Sequence, residues 1–412
     1  MEQLSPEQAQ FTAPDAPARQ DTPEQKPQRG KPAMEYGELS PEEQGKLVEL
    51  DKQFASPQFV EISTPEFENQ HMKIEYVVLD VRTDQEKAEA VKNNEHTVVH
   101  IPGYGSSLRS PDAFAKLLAL REKKRVIVMS QPSTGKSDSA PKEWMKFSRK
   151  ERSFAPFAES LSRAVDAIRA NEAQSGNNLT TEELSVVSSS MGSIIAAEMA
   201  KAHPEKVKDL VLLHPGGVNE ENVFQLARRY FPETLGSKIA TKRRKPLTDQ
   251  EMAEMERDYQ ETFGKSLQQA WEEAGGQGEF SLQDATQQET DMYRAVTKDI
   301  IQDSGANTAR GRYREGLRLV LWEALTIAKG GMLQTLKDID ADTNMYIVYG
   351  SEDGLFPKEQ MSKAKEALRD NPNVRTEILP MKHDEIYQRP RDYTGRVGKV
   401  LKDMAKRETE KK

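Results

Sequence analysis

Short apolar runs recur along the chain, separated by amphipathic and charged stretches. Continuous runs at Thr97 to Ile101, Val126 to Met129, Leu184 to Ser188, Leu210 to Leu213, Met345 to Tyr349 and Val374 to Leu379 have the length and composition of parallel strands buried on both faces. Segments such as Ala113 to Arg121 and Phe157 to Ala170 lie between them and carry apolar residues at helical spacing. A pair near Phe59 to Ser63 and Ile74 to Val81 suits a hairpin at the start of a sheet, and Ser40-Pro41-Glu42-Glu43 reads as a helix start. This alternation predicts an α/β fold: a mostly parallel central sheet with helices on both faces.

The rhythm fails at three places. Residues 1–40 are rich in Pro, Gln, Glu, Ala and Lys and nearly free of large apolar residues, so a disordered tail is expected. Between Leu213 and Met345 there is no strand pattern. Thr248-Asp249-Gln250-Glu251 has the form of a capping box, with Met252, Met255, Tyr259 and Phe263 following at helical spacing. Leu317, Val320, Leu321, Ala324 and Ala328 mark a second amphipathic helix. Residues 217–335 therefore read as a mostly helical insertion into a core made of residues 41–216 and 336–405. Residues 406–412 read as a charged C-terminal tail. The basic cluster Lys242-Arg243-Arg244-Lys245 in the insertion reads as a solvated surface, with an anionic substrate or partner as the alternative.

Composition narrows the function classes. The chain has 412 residues, 59 basic and 67 acidic, for a net charge of -8, which argues against general nucleic-acid binding. It has no cysteine, which excludes disulfides, thiolate metal sites and cysteine nucleophiles. Met1-Glu2-Gln3-Leu4-Ser5-Pro6 lacks the basic start and apolar run of a signal peptide. No apolar stretch approaches the roughly 20 residues that span a bilayer. The expectation is a cytoplasmic protein with no membrane span, no metal and no cofactor.

The chemistry gathers at strand ends. Ser188-Ser189-Ser190-Met191-Gly192 follows an apolar strand and leads into a helix, the local plan of a strained turn that presents a nucleophilic serine. Only small neighbours fit two places before and after such a serine. Ser188 and Gly192 satisfy this for Ser190, whereas Ser189 would sit between Val187 and Met191, and Ser188 would have Val186 on one side. The plain alternative is a serine-rich turn.

A serine nucleophile needs an orienting acid, a general base and oxyanion donors, with the acid and histidine following in that order. Asp353 lies in a Gly-rich turn after the strand Met345 to Tyr349, with Glu352 as a weaker rival. His383 follows the last strand and is 30 residues past Asp353. Of the other histidines, His71, His96 and His203 sit in polar stretches expected to be exposed. His100 and His214 lie near strand ends, where they could line the same cleft, but precede the acid. The oxyanion donors would be the backbone N–H groups of Met191, at the start of the helix, and of Tyr104, in the loop Pro102-Gly103-Tyr104-Gly105-Ser106-Ser107.

These segments together resemble the α/β-hydrolase superfamily, of the kind that carries a helical lid. Val98 to Ser107 resembles the oxyanion loop, Val126 to Asp138 the next strand and its loop, Val187 to Gly192 the nucleophile elbow, Tyr349 to Pro357 the acid turn, and Met381 to Asp384 the histidine segment. Pro102-Gly103 stands where His-Gly is usual, Ser188 where Gly is usual, and Ser130 where an acid is frequent. The resemblance implies a serine hydrolase acting on a small-molecule acyl substrate, most often an ester. Ser190, Asp353 and His383 would be its triad and residues 217–335 its lid.

Two other classes compete. Ser130-Gln131-Pro132-Ser133-Thr134-Gly135-Lys136-Ser137 ends like a phosphate-binding loop, but it lacks the first glycine, and Pro132 removes a backbone donor. A non-catalytic member of the fold used as a binding module is the other alternative. The serine, acid, histidine order argues against it.

Overall fold

The computed structural model describes residues 39–65, 70–93, 95–103, 106–109, 111–174, 183–218, 326–328, 331–356, 358–379, 381–383, 386 and 390–411, with isolated positions 253, 256, 266, 268, 269 and 272. Its elements in chain order are α1 (Pro41–Ala55), β1 (Gln58–Thr64), β2 (Gln70–Leu79), α2 (Asp84–Lys92), β3 (Thr97–Ile101), α3 (Asp112–Leu120), β4 (Val126–Met129), α4 (Lys142–Glu151), α5 (Ala155–Gln174), β5 (Leu184–Ser189), α6 (Met191–Ala202), β6 (Val207–Leu213), α7 (Met332–Asp338), β7 (Asn344–Gly350), α8 (Lys358–Ala367), β8 (Val374–Leu379) and α9 (Pro390–Lys411). The strands form one eight-stranded sheet in the order β1-β2-β4-β3-β5-β6-β7-β8. β2 is antiparallel to β1 and to β4, and every other neighbouring pair is parallel.

The continuous apolar runs are strands because successive residues are buried on opposite faces. Val99, Ile127, Val186, Leu210 and Ile347 pack under one helical layer, with residues of α5, α6, α7 and α8. Their neighbours Val98, Val128, Val187, Val211 and Val348 pack under the other, with residues of α1, α3 and α9. Such two-sided burial is the pattern of a parallel sheet covered by crossover helices. The helix start at Ser40 is a full capping box: Glu43 N–H donates to Ser40 Oγ (3.2 Å), and Ser40 N–H donates to Glu43 Oε2 (2.8 Å).

Several boundaries differ from the sequence reading. β2 begins at Gln70 and ends at Leu79, because its first half pairs with β1 and alternates exposed His71 and Lys73 with buried Met72 and Ile74. Ile327, Ala328, Met332 and Leu336 belong to the main core, so core packing resumes before residue 336. α9 runs through to Lys411, and the residues read as a charged tail continue it. The Lys242-Arg243-Arg244-Lys245 cluster, the capping box at Thr248 and the apolar stripes that follow lie outside the described residues, Ala328 excepted. Among the described residues no helix is long and apolar enough to cross a membrane.

His96 is buried, contrary to the exposure expected of it. Its Nδ1 lies 2.9 Å from Asp209 Oδ2, which also accepts from Ser185 Oγ at 2.7 Å, while Asn344 Nδ2 donates to Asp209 Oδ1 at 3.0 Å. This network ties together the N-terminal ends of the central parallel strands, at the opposite end of the sheet from Ser190.

His100 is fully buried in β3 and stacks on Phe114 at 5.3 Å between ring centroids. Burial pushes its imidazole pKa down to about 3, against a smaller upward pull from the Val187 backbone. The unfolded chain therefore takes up this proton near the ordinary histidine value while the folded protein does not. The stability His100 contributes is complete above about pH 6.5 and is lost as the pH falls from there toward 3. Between pH 7 and pH 5 this one group is expected to remove about 2 kcal/mol of unfolding free energy. Urea titrations at both pH values check this: His100→Leu should narrow the difference, and an undiminished difference in that variant would contradict the assignment.

Candidate active site

β5 is buried along its whole length, and the chain turns at Ser190 directly into α6. Ser190 has φ 50° and ψ −124°, a sparsely populated conformation that costs on the order of 1–3 kcal/mol for a residue with a β carbon. Its surroundings hold it there. Ser190 N–H donates to the Leu213 carbonyl (3.1 Å), and the Ser190 carbonyl accepts from Ser193 N–H (3.0 Å) and Gly216 N–H (3.2 Å). Ser188, in the usual glycine place, is fully buried, and its hydroxyl lies 3.4 Å from both Ser193 Oγ and the Val211 carbonyl. A small residue with a hydroxyl fits beneath this turn because those partners are there.

Gly192 is required by close approach. A β carbon there would collide with the carbonyl oxygens of Ile101 and Pro102, in the strand and loop that precede Gly103. Both are buried backbone atoms, one at the end of β3 and one in the residue that follows it. Gly192→Ala is expected to destabilise the fold by about 1–3 kcal/mol. The urea midpoint measures this, and a midpoint equal to that of the wild type would contradict the packing described.

The turn after β7 carries Asp353, which is buried, whereas Glu352 beside it is exposed. Asp353 Oδ1 accepts the N–H groups of Leu355 (2.9 Å) and Phe356 (3.0 Å). Asp353 Oδ2 lies 2.8 Å from His383 Nδ1, and His383 Nε2 lies 2.9 Å from Ser190 Oγ. An unbroken hydrogen-bonded line thus joins residues from the ends of β5, β7 and β8. The Phe356 ring packs against His383 at 5.2 Å between centroids and narrows the imidazole's freedom.

The electrostatics favour a charged carboxylate. Burial alone would raise the Asp353 pKa, but the charge and hydrogen bond of His383, together with those of His214, outweigh it and hold the carboxyl well below the usual carboxylate range. His214, His383 and Asp353 place one donor atom each within 4.8 Å of one another, the group of three with metal-ligand spacing found among the described residues. The carboxylate they share, hydrogen-bonded to His383 and 3.6 Å from His214 Nδ1, accounts for that spacing.

Met191 is the first residue of α6 and is buried against Ser190. Its N–H belongs to the helix-end set with no intrahelical acceptor. Pro102, the residue after β3, is tethered to the end of β4 by a hydrogen bond from Gln131 Nε2 to its carbonyl. Tyr104 lies outside the described residues.

The segment that ends like a phosphate-binding loop is already filled. The buried Glu75 carboxylate from β2 accepts Lys136 N–H (2.8 Å) and Ser130 Oγ–H (2.9 Å), and Ser137 Oγ accepts Glu75 N–H (2.9 Å). A protein carboxylate stands where a phosphate would have to bind, and an anion would meet its negative charge.

Sequence reasoning set aside one residue that lies at this site. His214, the first residue past β6, approaches Asp353 Oδ2 with its Nδ1 at 3.6 Å. Its other nitrogen bonds the Tyr393 hydroxyl of α9. The available signal for His214 was its place at a strand end. Tyr393 gave none.

A mostly parallel sheet covered by helices, with a serine, a histidine and an acid brought together at its strand ends, defines a class of α/β proteins. A sequence model of the alpha/beta hydrolase fold family matches residues 96–386, and the chain belongs to that family. No curated protein matches the chain. Among solved structures, it is similar to a bacterial membrane phospholipase A at 16% identity, covering 88% of this chain and 91% of that one, with a TM-score of 0.49. It is also similar to a thermophilic esterase from Thermogutta terrifontis (13% identity, 84% and 99% covered, TM-score 0.49) and to a putative lipase from Acinetobacter baumannii (16%, 90% and 98%, 0.48).

Proposed function

We propose that the protein is a serine hydrolase that cleaves carboxylic esters of small molecules through an acyl-enzyme. Ser190 attacks the ester carbonyl while His383 takes its proton as general base. Asp353 fixes the imidazole tautomer and stabilises its charged form. The N–H groups of Met191 and Tyr104 bind the oxyanion of the tetrahedral intermediate. His383 then gives its proton to the departing alkoxide, leaving an ester on Ser190. Water, deprotonated by His383, attacks that ester and releases the acid. The insertion that precedes the return of the chain to the core at Ile327 is the candidate for shaping the acyl pocket, and the protein works in the cytoplasm.

The observation that carries this reading is the continuous bonding from Ser190 Oγ through His383 to Asp353, at 2.9 Å and 2.8 Å. These are hydrogen-bond distances between a nucleophile and its base, and between that base and its orienting acid. The test is turnover of p-nitrophenyl esters from acetate to palmitate. At least one chain length should be cleaved with an acyl burst equal to the protein concentration. A folded protein that cleaves none of them above background would overturn the ester reading.

A further inference from the structure

His214 occupies an unusual position for a residue that the mechanism above does not use. It is the residue that follows β6, it is buried, and its backbone has φ 49°. Positive φ is uncommon for a residue with a side chain. The conformation is held by the His214 N–H, which donates to the Val348 carbonyl at 2.8 Å. Space for the ring comes from Gly350, the last residue of β7: a β carbon there would lie 2.8 Å from His214 Cε1. The turn after β6 and the end of β7 therefore seat one imidazole against the acid.

The polar contacts of the ring give it a direction. Its Nε2 pairs with the Tyr393 hydroxyl, and its Nδ1 faces Asp353 Oδ2 at 3.6 Å. A tyrosine hydroxyl that donates to Nε2 leaves the ring proton on Nδ1, aimed at the carboxylate. Asp353 Oδ1 is already fixed by the Leu355 and Phe356 N–H groups. Asp353 Oδ2 is flanked by His383 on one side and His214 on the other, with the two rings 6.0 Å apart and close to perpendicular. The titratable groups described as facing His214 are Asp353 from the β7 turn, His383 from the segment after β8, and Tyr393 from α9.

We propose that His214 is a positioning residue, which with Tyr393 holds the Asp353 carboxylate in the orientation that His383 needs. This rests on the serine-hydrolase reading for its rate effect. His214 does not reach the scissile bond; it acts through Asp353. A positively polarised N–H on the far side of the carboxylate also draws some of its negative charge away from His383. Removing it makes His383 easier to protonate.

Three variants test this: His214→Gly, which tolerates the backbone conformation and removes the donor; His214→Asn, which tolerates it and keeps an N–H donor at the δ position; and Tyr393→Phe, which leaves the ring without its hydroxyl partner. His214→Gly is expected to lower kcat by about 10-fold with KM nearly unchanged, the loss associated with a polar contact to a charged group that is longer than a hydrogen bond. The acid limb of its kcat/KM profile should move up by about half a pH unit. His214→Asn should restore most of kcat, and Tyr393→Phe should shift the acid limb in the same direction. The pH titration of the His383 ring protons by NMR, in wild type and all three variants, reads the same shift without substrate. It therefore decides the role of His214 even if no ester is cleaved. Equal losses in the Gly and Asn variants, with the acid limb and the His383 titration unmoved in all three, would overturn the proposal and leave His214 a packing residue.

Discussion

Ser190→Ala is expected to lower kcat for ester cleavage by about 10⁵-fold or more, to the level set by binding and oxyanion contacts alone. The variant should keep its fold. The hydroxyl makes one described side-chain bond, to His383 Nε2. The backbone bonds of the turn, from Ser190 N–H to Leu213 and from Ser193 and Gly216 to the Ser190 carbonyl, are untouched. Alanine loses no buried apolar contact and retains the β carbon beside Gly103. A stopped-flow comparison of the two proteins on the best p-nitrophenyl ester, beside their urea midpoints, measures both claims. Turnover within tenfold of wild type would mean that the nucleophile is another residue. A lost midpoint would mean that the hydroxyl also serves the fold.

Asp353→Asn is expected to cost about 10⁴-fold in kcat. Asparagine keeps an oxygen for the Leu355 and Phe356 N–H groups, so the turn should survive. What changes is the group facing His383 Nδ1. An amide nitrogen there demands that the ring accept, which puts the ring proton on Nε2, where it faces Ser190 and cannot receive the serine's proton. The loss should appear in kcat rather than in KM. The neighbouring carboxylate provides the control: Glu352 is exposed, and Glu352→Gln should leave kcat within a factor of two. The reverse ranking would exchange the roles of the two acids.

Low pH bears on the same carboxylate. Because the fold holds the Asp353 pKa well below the usual range, its contribution to stability is present above the ordinary carboxylate value. That contribution is lost progressively as the pH falls from the ordinary value toward the depressed folded one. His100 weakens the fold at a higher pH, beginning near 6.5. Acid unfolding should therefore begin with the buried imidazole while the Asp353–His383 pair is still intact.

The parts of this fold that are legible in the sequence are those where one physical cause dominates. Val126 to Met129 and Met345 to Tyr349 read as strands because both faces are buried and nothing polar interrupts them. β2 reads less well. Its first half carries His71 and Lys73 on the exposed face, and its length is set by pairing with β1 rather than by its own pattern. α4 has its apolar residues, such as Trp144 and Met145, confined to one narrow buried stripe, too short a pattern to stand out. The same division holds at the site. Ser190, Asp353 and His383 each carry a local signal, a residue of suitable chemistry directly after an apolar strand. His214 carries that signal too, but its meaning depends on Asp353 across the sheet and on Tyr393, 179 residues away. Contact at that separation leaves no periodic trace. Glu75 shows the converse: Gly135-Lys136-Ser137 reads as an anion cradle until the carboxylate that fills it comes in from β2.

An activated nucleophile at Ser190 is tested by covalent labelling, without knowledge of the substrate. The folded protein would be treated with an alkyl fluorophosphonate, digested, and mapped by mass spectrometry. A single phosphonylated residue, Ser190, is expected, with labelling absent in Ser190→Ala and strongly slowed in His383→Ala. A protein that stays folded and takes no label at Ser190 would contradict it.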